Sequence, residues 1–404
     1  MLDRADAIAV ASPVYFATVP AVLKGLYDRC QPYWARRRVL HEEPPPRRPG
    51  AIMLVRGGGD PYGFQCAVWT TKSVFAVLGV DDVEEPSPGF GEVKLRVRAS
   101  AMNHLDLWIR RGLPISITMP HIGGSDIAGV VEELGPGVEG VEVGTRVVVD
   151  PSLDYDWYDG IASGHGLPEK NFRIIGEHTQ GGFAEYCVVP AANLVEIPGN
   201  VDFQVAAAGS LVGVTAWRAL MVRGSLGAGE TVLITGASGG VSSLAIQMAK
   251  RAGAKVYAVT SGAENASRVL ALGADHVYDR SEVDWGREVF SDTGKRGVDL
   301  VLDSVGEAIW ATCIRALAVG GRMVTIGATT GAAGETEIRL VFWKQLSILG
   351  STMGSPRDYR KAMGMVFRGE VKPVIHSVMP LEEARLAHEL LEAGQAFGKL
   401  VLTP

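Results

Sequence analysis

Apolar positions change their rhythm twice along this chain. From Val93 to about Glu196 they alternate with polar ones in short stretches, Val93–Val97, Ile127–Glu132, Arg146–Val149 and Ala184–Val189, with glycine at close intervals. Alternation of period two between turn residues predicts a β-rich, barrel-like domain. After Pro198 continuous apolar runs take over. Thr231–Thr235, Lys255–Thr260, Val298–Asp303 and Arg322–Ile326 predict buried strands, and Val241–Ala252, Ala263–Leu272 and about Glu307–Leu317 carry helical spacing. Strand and helix in turn predict an α/β domain with a parallel sheet covered on both faces. The first 80 residues form two short α/β stretches around the Pro/Arg-rich joint Glu43–Pro49. Asp81–Gly89 then reads as an exposed connector, because acids and prolines do not build a core.

Composition narrows the class. The 404 residues allow two or three domains at roughly 150 residues each. Glycine is in excess, 50 of 404 residues, where about 7% is usual; this points to many tight turns and close backbone approaches. A net charge of −6 without a basic stripe argues against a nucleic-acid partner. Cys30, Cys66, Cys187 and Cys313 lie too far apart for a disulfide framework or a cysteine-rich metal site. Acids at Asp3 and Asp6 stand where a signal peptide carries basic residues, and the most apolar stretch, Val205–Trp217, is stopped by Arg218. That is short of the ~18 residues of a membrane span. A cytoplasmic protein with no membrane partner is expected.

The strongest chemical signal is Thr235-Gly236-Ala237-Ser238-Gly239-Gly240-Val241-Ser242, leaving a strand and opening a helix. A dinucleotide pyrophosphate needs backbone N–H groups at a helix N-terminus and no side chains in its way. Gly236, Ser238, Gly239, Gly240 and Val241 are therefore candidate coenzyme contacts; Ser242 stands where a third glycine is usual. The second strand ends Thr260-Ser261-Gly262 with no carboxylate before Glu264. An acid there would hold the NAD ribose; without it, Ser261 and Arg280 offer contacts to a 2′-phosphate. NADP(H) is favoured, with NAD(H) as the alternative and Arg280 equally readable as solvated surface. Thr260 and Asp303, at strand ends, complete the candidate set.

From about Asp81 to Pro404 the chain resembles the medium-chain dehydrogenase/reductase superfamily of zinc alcohol dehydrogenases and zinc-free quinone oxidoreductases. The motifs that carry the resemblance include Pro88–Val93, Asn103-His104-Leu105-Asp106, Gly123–Gly129, Gly135–Val138, Gly144–Val147, Gly181–Tyr186, the glycine turn and Leu272–Asp275. It implies a GroES-like catalytic domain over 81–211 and 349–404 and a Rossmann domain over 212–348.

Zinc members of the family carry Cys at the position of Asn103, His at that of Ser125, and a further Cys near Leu211; all three are replaced here. The segment matching their four-cysteine lobe, Pro151–Glu177, holds Asp154, Asp156, Asp159 and His165 but no cysteine. Zinc is not expected, since its sites use thiolate and imidazole. Without a Lewis acid, reduction of a quinone or enone-like carbonyl is easier to manage than oxidation of an alcohol. The resemblance puts Thr215 by the nicotinamide and makes Asn103 an amide donor at the old ligand position. Asp106 and Arg110 match the quinone oxidoreductase pattern, with a structural ion pair as the alternative. The expected activity is a zinc-independent hydride transfer between NADP(H) and such a small-molecule carbonyl or quinone. The rivals are an alcohol dehydrogenase with an unusual metal site at His104 and Asp126, and an idle NADPH-binding or interaction protein.

The opening segment, residues 1–80, has its own resemblance. Ala5–Phe16, Val19–Arg29 and residues 57–65 are similar to a flavodoxin-like NADPH-dependent FMN reductase, with Pro13–Phe16 as the loop along the flavin ring. The family's first strand and phosphate loop have no counterpart in the sequence, so a truncated segment that does not bind FMN is expected. Arg339–Gly354 is expected to supply an edge strand for a homodimer, as in the resembling family.

Overall fold

The structure, a computed structural model, describes residues 85–112, 117, 120–155 and 172–404, and the backbone of three strands before them. The chain forms two compact units, Met1–Pro86 and Ser87–Pro404. In the first, β1 (Ile8–Val14), β2 (Arg48–Arg56) and β3 (Val80–Asp81) form a parallel sheet in that order, with Ile8 opposite Gly50 and Arg48 opposite Val80. Val80 and Asp81 thus pair within this unit, and the boundary after Pro86 falls inside the connector expected over Asp81–Gly89, six residues beyond the expected end at residue 80. Of the residues expected to match a flavin loop, Pro13 and Val14 lie in β1, and Tyr15, Phe16 and residues 57–65 lie outside the described residues.

The second unit holds two large sheets. One collects β4 (Glu92–Ala101), β5 (Asp126–Leu134), β6 (Arg146–Val149), β9 (Tyr186–Pro190) and β10 (Leu194–Glu196) from the first half of the unit. Its remaining strands, β17 (Ile375–Pro380) and β18 (Lys399–Thr403), come from the C-terminus. The order is β10-β6-β5-β4-β18-β17, with β9 also on β4. A two-stranded ribbon, β7 (Ser152–Leu153) with β8 (Arg173–Ile174), stands apart. The helix α1 (His104–Arg111) follows β4.

The other sheet is parallel throughout, β13-β12-β11-β14-β15-β16, built from Thr231–Ile234, Lys255–Thr260, His276–Asp279, Val298–Asp303, Leu317–Thr325 and Ser347–Gly350 as β11 to β16. Helices α3 (Gly240–Arg251), α4 (Ala263–Ala271), α5 (Trp285–Asp292) and α6 (Trp310–Ala316) connect its strands. Leu233, Ile234, Val301 and Leu302 are buried at its centre, as a sheet covered on both faces requires.

The helix α2 (Phe203–Trp217) joins the two halves. Every residue from Ala206 to Ala216 is buried, as expected of a helix apolar on all sides. A π-helical turn, Arg218–Arg223, continues it. The expected border between residues 211 and 212 therefore falls inside a buried helix, not in a linker. With the π turn, this helix does reach the length and hydropathy of a membrane span, but 72% of that stretch is buried in the core.

Three element expectations need correction. The helix expected from Glu307 starts at Trp310, after the turn at Gly306. The strand expected from Arg322 begins at Leu317, because β15 accommodates a bulge between its pairings at Leu317 and Arg322. In the expected edge strand, residues 338–343 form helix α7 (Ile338–Trp343), and only β16 is extended. Ile338 and Phe342, four apart, point to solvent while Leu340 and Val341 pack inward, which is helical and not alternating geometry. The last helices are α8 (Pro356–Phe367), which packs on α2, and α9 (Ala384–Glu392).

Candidate active site

The glycine turn follows β11. Gly236 takes φ +56°, and Gly239 precedes the first turn of α3, which has no side-chain cap. The first backbone N–H groups of that helix are thus free for an anion. A Cβ on Gly239 would meet only Gly236 O, at 3.2 Å, so the approach is open. Ser242, in place of a third glycine, turns its hydroxyl inward to donate to Thr235 O at 2.8 Å. The helix is tied to the strand at the point where a larger side chain would separate them. Val241 lies on the same first turn and packs against the core.

At the C-terminal ends of β12 and β13, Thr260 pairs with Asp279, and Arg280 N donates to Thr260 O at 3.0 Å. This brings Thr260, Ser261 and the exposed Arg280 together. Thr260 Oγ1 is buried without a hydrogen-bond partner among the described residues. The pairing also brings in an acid that spacing along the chain did not reveal. Asp279 accepts from Ser281 N at 3.0 Å and Ser281 Oγ at 2.5 Å, which hold its carboxyl below the usual range.

Asp303, expected among the coenzyme contacts, is fully buried at the end of β14. Its oxygens accept from Thr235 Oγ1 at 2.8 Å and from Val305 N and Gly306 N at 3.1 Å, so it anchors the turn after β14. Burial pushes its carboxyl upward against these donors. It is a positioning residue for the glycine turn next to it.

The second half of the site lies where β4, β5 and β18 run side by side. Asn103 precedes α1, Asp126 opens β5 and Lys399 opens β18. Lys399 Nζ donates to Asp126 Oδ2 at 2.9 Å, Asn103 Oδ1 at 2.6 Å and Met102 O at 2.5 Å. Its side chain is only 3% exposed and that of Asp126 fully buried. Asn103 Nδ2 donates to Asp126 Oδ2 at 2.9 Å, while Asp126 Oδ1 accepts from Leu211 N in α2 at 2.6 Å. One carboxylate therefore ties together three elements.

Lys399 also touches the glycine turn. A Cβ on Gly240 would come within 2.7 Å of Lys399 Cδ, and Gly398 N donates to Ser238 O at 2.8 Å. Gly398 has φ +89°, and a Cβ there would lie 2.3 Å from Val374 O. The lysine stem thus runs from the glycine turn into the cluster. Sequence reading missed this residue; its signal was a single charge inside the apolar run Phe397–Leu402.

This arrangement corrects the role expected of Asn103. Its amide hydrogens face Asp126 and, at 3.4 Å, Ala101 O, so it has no donor to spare for a substrate. Ser125, next to Asp126, is fully buried, and its Oγ has no hydrogen-bond partner among the described residues. Asp106 accepts from Asn103 N at 2.7 Å and Gly124 N at 3.3 Å. Burial, aided by the Asp126 charge, pushes the Asp106 carboxyl up to about 7. Thr215 is buried one helical turn beyond Leu211 and donates to Leu211 O at 2.8 Å.

Arg110 is not brought to the site. It is exposed and, with Arg111, binds Glu392 on α9, holding that carboxyl down at about 2. Asp106 and Arg110 form no ion pair with each other, because Asp106 faces inward from the start of α1 and Arg110 outward from its end. The metal alternative at His104 and Asp126 also lacks its geometry: His104 is exposed, whereas Asp126 is buried and engaged. Among the described residues no three of His, Cys, Asp and Glu converge as a metal site. Asp154 pairs with Arg173, while Asp156, Asp159 and His165 lie outside the described residues, as do Cys30 and Cys66. Burial pushes the Cys187 thiol up to about 12 and raises Cys313 too.

Comparison with known proteins adds three family matches. Residues 89–199 match the alcohol dehydrogenase GroES-like domain, residues 240–368 the zinc-binding dehydrogenase family, and residues 1–93 the NADPH-dependent FMN reductase family. The chain is 32% identical to an acryloyl-coenzyme A reductase of Metallosphaera sedula over 330 residues, 80% of this chain and 96% of that one. It is 29% identical to a quinone oxidoreductase of Rattus norvegicus, over 80% and 92% of the two chains. The crystal structure of an NAD-dependent alcohol dehydrogenase superposes with a TM-score of 0.76 at 41% identity, covering 80% of this chain and 95% of that one.

Proposed function

The chain belongs to the medium-chain dehydrogenase/reductase superfamily and is a nicotinamide-dependent oxidoreductase; on that premise we propose that it works without zinc, prefers NADP(H) and reduces a quinone or an enone-like carbonyl. The observation that carries this reading is the closed Asn103–Lys399–Asp126 network. An amide, an ammonium and a carboxylate already shared between them do not fit zinc, which takes thiolate or imidazole.

The bound nicotinamide supplies or accepts the hydride. The chain's own residues do the rest. The open turn at Gly236–Val241 receives the pyrophosphate on backbone N–H groups, and Ser242 keeps the helix against its strand. Lys399, held between Ser238–Gly240 and Asn103, fixes the spacing of cradle and reaction centre. Thr215, on α2 one turn beyond Leu211, would lie by the nicotinamide, as the family resemblance implies. Ser125, whose buried hydroxyl has no hydrogen-bond partner among the described residues, stands at the position of the family's zinc-ligating histidine and offers zinc no imidazole. An acceptor already polarised by conjugation takes hydride without a Lewis acid, whereas an alkoxide would lack its usual stabilisation.

The preference for NADP(H) is supported by the Thr260–Ser261 strand end without an acid and by Arg280 beside it; the Asp279 carboxylate is occupied by Ser281. The first unit holds no flavin in this reading, and the second forms a homodimer through the open edge at β16. The test is coenzyme oxidation by a quinone and by an α,β-unsaturated thioester, with NADPH and NADH, each with and without chelator. Faster NADPH turnover that the chelator leaves unchanged is expected. Loss of activity in chelator with recovery on adding zinc overturns zinc independence. NADPH binding without oxidation by any acceptor leaves the idle binding protein as the correct reading.

A further inference from the structure

Away from the coenzyme cleft, a groove of about 750 Å³ opens between the end of α2 with its π turn, the end of α3, and α8. Its floor is apolar: Trp217, Met221, Met248 and Met365. Methionine and tryptophan together make a soft, adaptable surface for an apolar or flat body. The volume lies within the range of single small-molecule sites, ~300–1,000 Å³.

The rim is cationic beyond what the protein itself neutralises. Arg251 and Arg368 share Glu370, at 3.6 and 2.7 Å, and that is the only acid in the groove lining. Arg357 and Arg360 are exposed and have no hydrogen-bonded or ion-paired partner among the described residues. Lys361 meets no carboxylate there and lies over the Trp217 ring, 5.5 Å from its centroid. These three cations occupy the first half of α8, with Arg357 three and four residues before Arg360 and Lys361. Like charges at such spacings repel, and the positive end of a helix disfavours cations. The nearest acid on that turn, Asp358, faces inward to Arg218 at 2.7 Å and to Ser355, so it relieves none of this. An anion in the groove would.

We propose that this groove binds a small organic phosphate, a phosphate monoester on an apolar or aromatic body. Three unneutralised cations suit a group of nearly two negative charges, and guanidinium forks match phosphate oxygens. The groove is not the coenzyme's phosphate site. It lies at the C-terminal end of α3, whose N-terminal end is the glycine turn, roughly 16 Å away at about 1.5 Å per residue.

Isothermal titration of the full chain with octyl phosphate, octyl glucoside and inorganic phosphate tests the assignment. Octyl phosphate is expected to bind one per chain and at least about tenfold more tightly than either comparator. In Arg357→Glu/Arg360→Glu, its affinity falls at least about tenfold while the KM for NADPH is unchanged. Lys361→Glu is an independent variant with the same expectation, should the double variant fold poorly. Absence of saturable binding overturns the proposal. So do inorganic phosphate or octyl glucoside binding as tightly as octyl phosphate, or variants that bind it like the parent.

Discussion

Lys399 brings a full charge to a place where water barely reaches, and three oxygens at 2.5 to 2.9 Å compensate it. Removing one partner of such a buried pair leaves the other charge uncompensated, typically at a cost of about 3–5 kcal/mol. Lys399→Met is expected to lose stability on that scale in urea unfolding. Lys399→Met with Asp126→Asn recovers part of the loss, since no bare charge is left; a double variant no more stable than the single one contradicts this account. Asp106 sets a pH dependence. Its folded carboxyl titrates near 7, against about 3.9 when unfolded. Between these values the folded protein keeps a proton that the unfolded chain releases. Its contribution is therefore full below about pH 4 and is lost as pH rises through 7, by up to ~1.4 kcal/mol per pH unit. Relative to Asp106→Asn, the parent's unfolding free energy should fall across that window and level off above it. A difference independent of pH refutes the assignment. The sequence made Asp106 and Asn103 visible, but not their partners: Asn103 spends its amide on Asp126 and Lys399, and Arg110 turns to Glu392.

Among the elements, the strand–turn–helix from β11 to α3 was fully legible, because turn chemistry and helix initiation depend on adjacent residues. Its function predicts its sensitivity. A Val at position 239 places a branched side chain over the open approach to the N-terminus of α3, while the backbone there, at φ −75° and ψ 160°, suits a β-branched residue. Gly239→Val is expected to weaken NADPH binding by at least about tenfold, some 1.4 kcal/mol, with little change in the unfolding midpoint. Fluorescence titration with NADPH checks this, and unaltered affinity argues against the cradle. The elements that were misread are those whose neighbours decide them. Ile338–Trp343 is apolar enough for a strand, yet becomes helical because Leu340 and Val341 both find the core beneath them. The start of β15 was hidden by a bulge, which alternation across Leu317–Arg322 does not reveal.

On the scale of the whole molecule, the parallel sheet ends in β16 with one edge unpaired, and nearby Ile338, Phe342 and Trp343 are 74%, 64% and 80% exposed. An open strand edge beside large exposed apolar side chains is a surface for association. Light scattering is expected to give twice the chain mass, and Phe342→Glu/Trp343→Glu the single mass; a parent that is monomeric at micromolar concentration excludes the dimer. The sequence alone determined what short-range rules govern: the β-rich half, the alternating half, the phosphate turn between β11 and α3, and the replacement of cysteine and histidine ligands by Asn103 and Ser125. Only the tertiary structure decided which distant residues meet. Lys399 reaches Asp126 across 273 positions and Asn103 across 296 because β18 inserts beside β4. Strand order in a sheet is settled by the packing of the complete chain, and local periodicity contains no term for it.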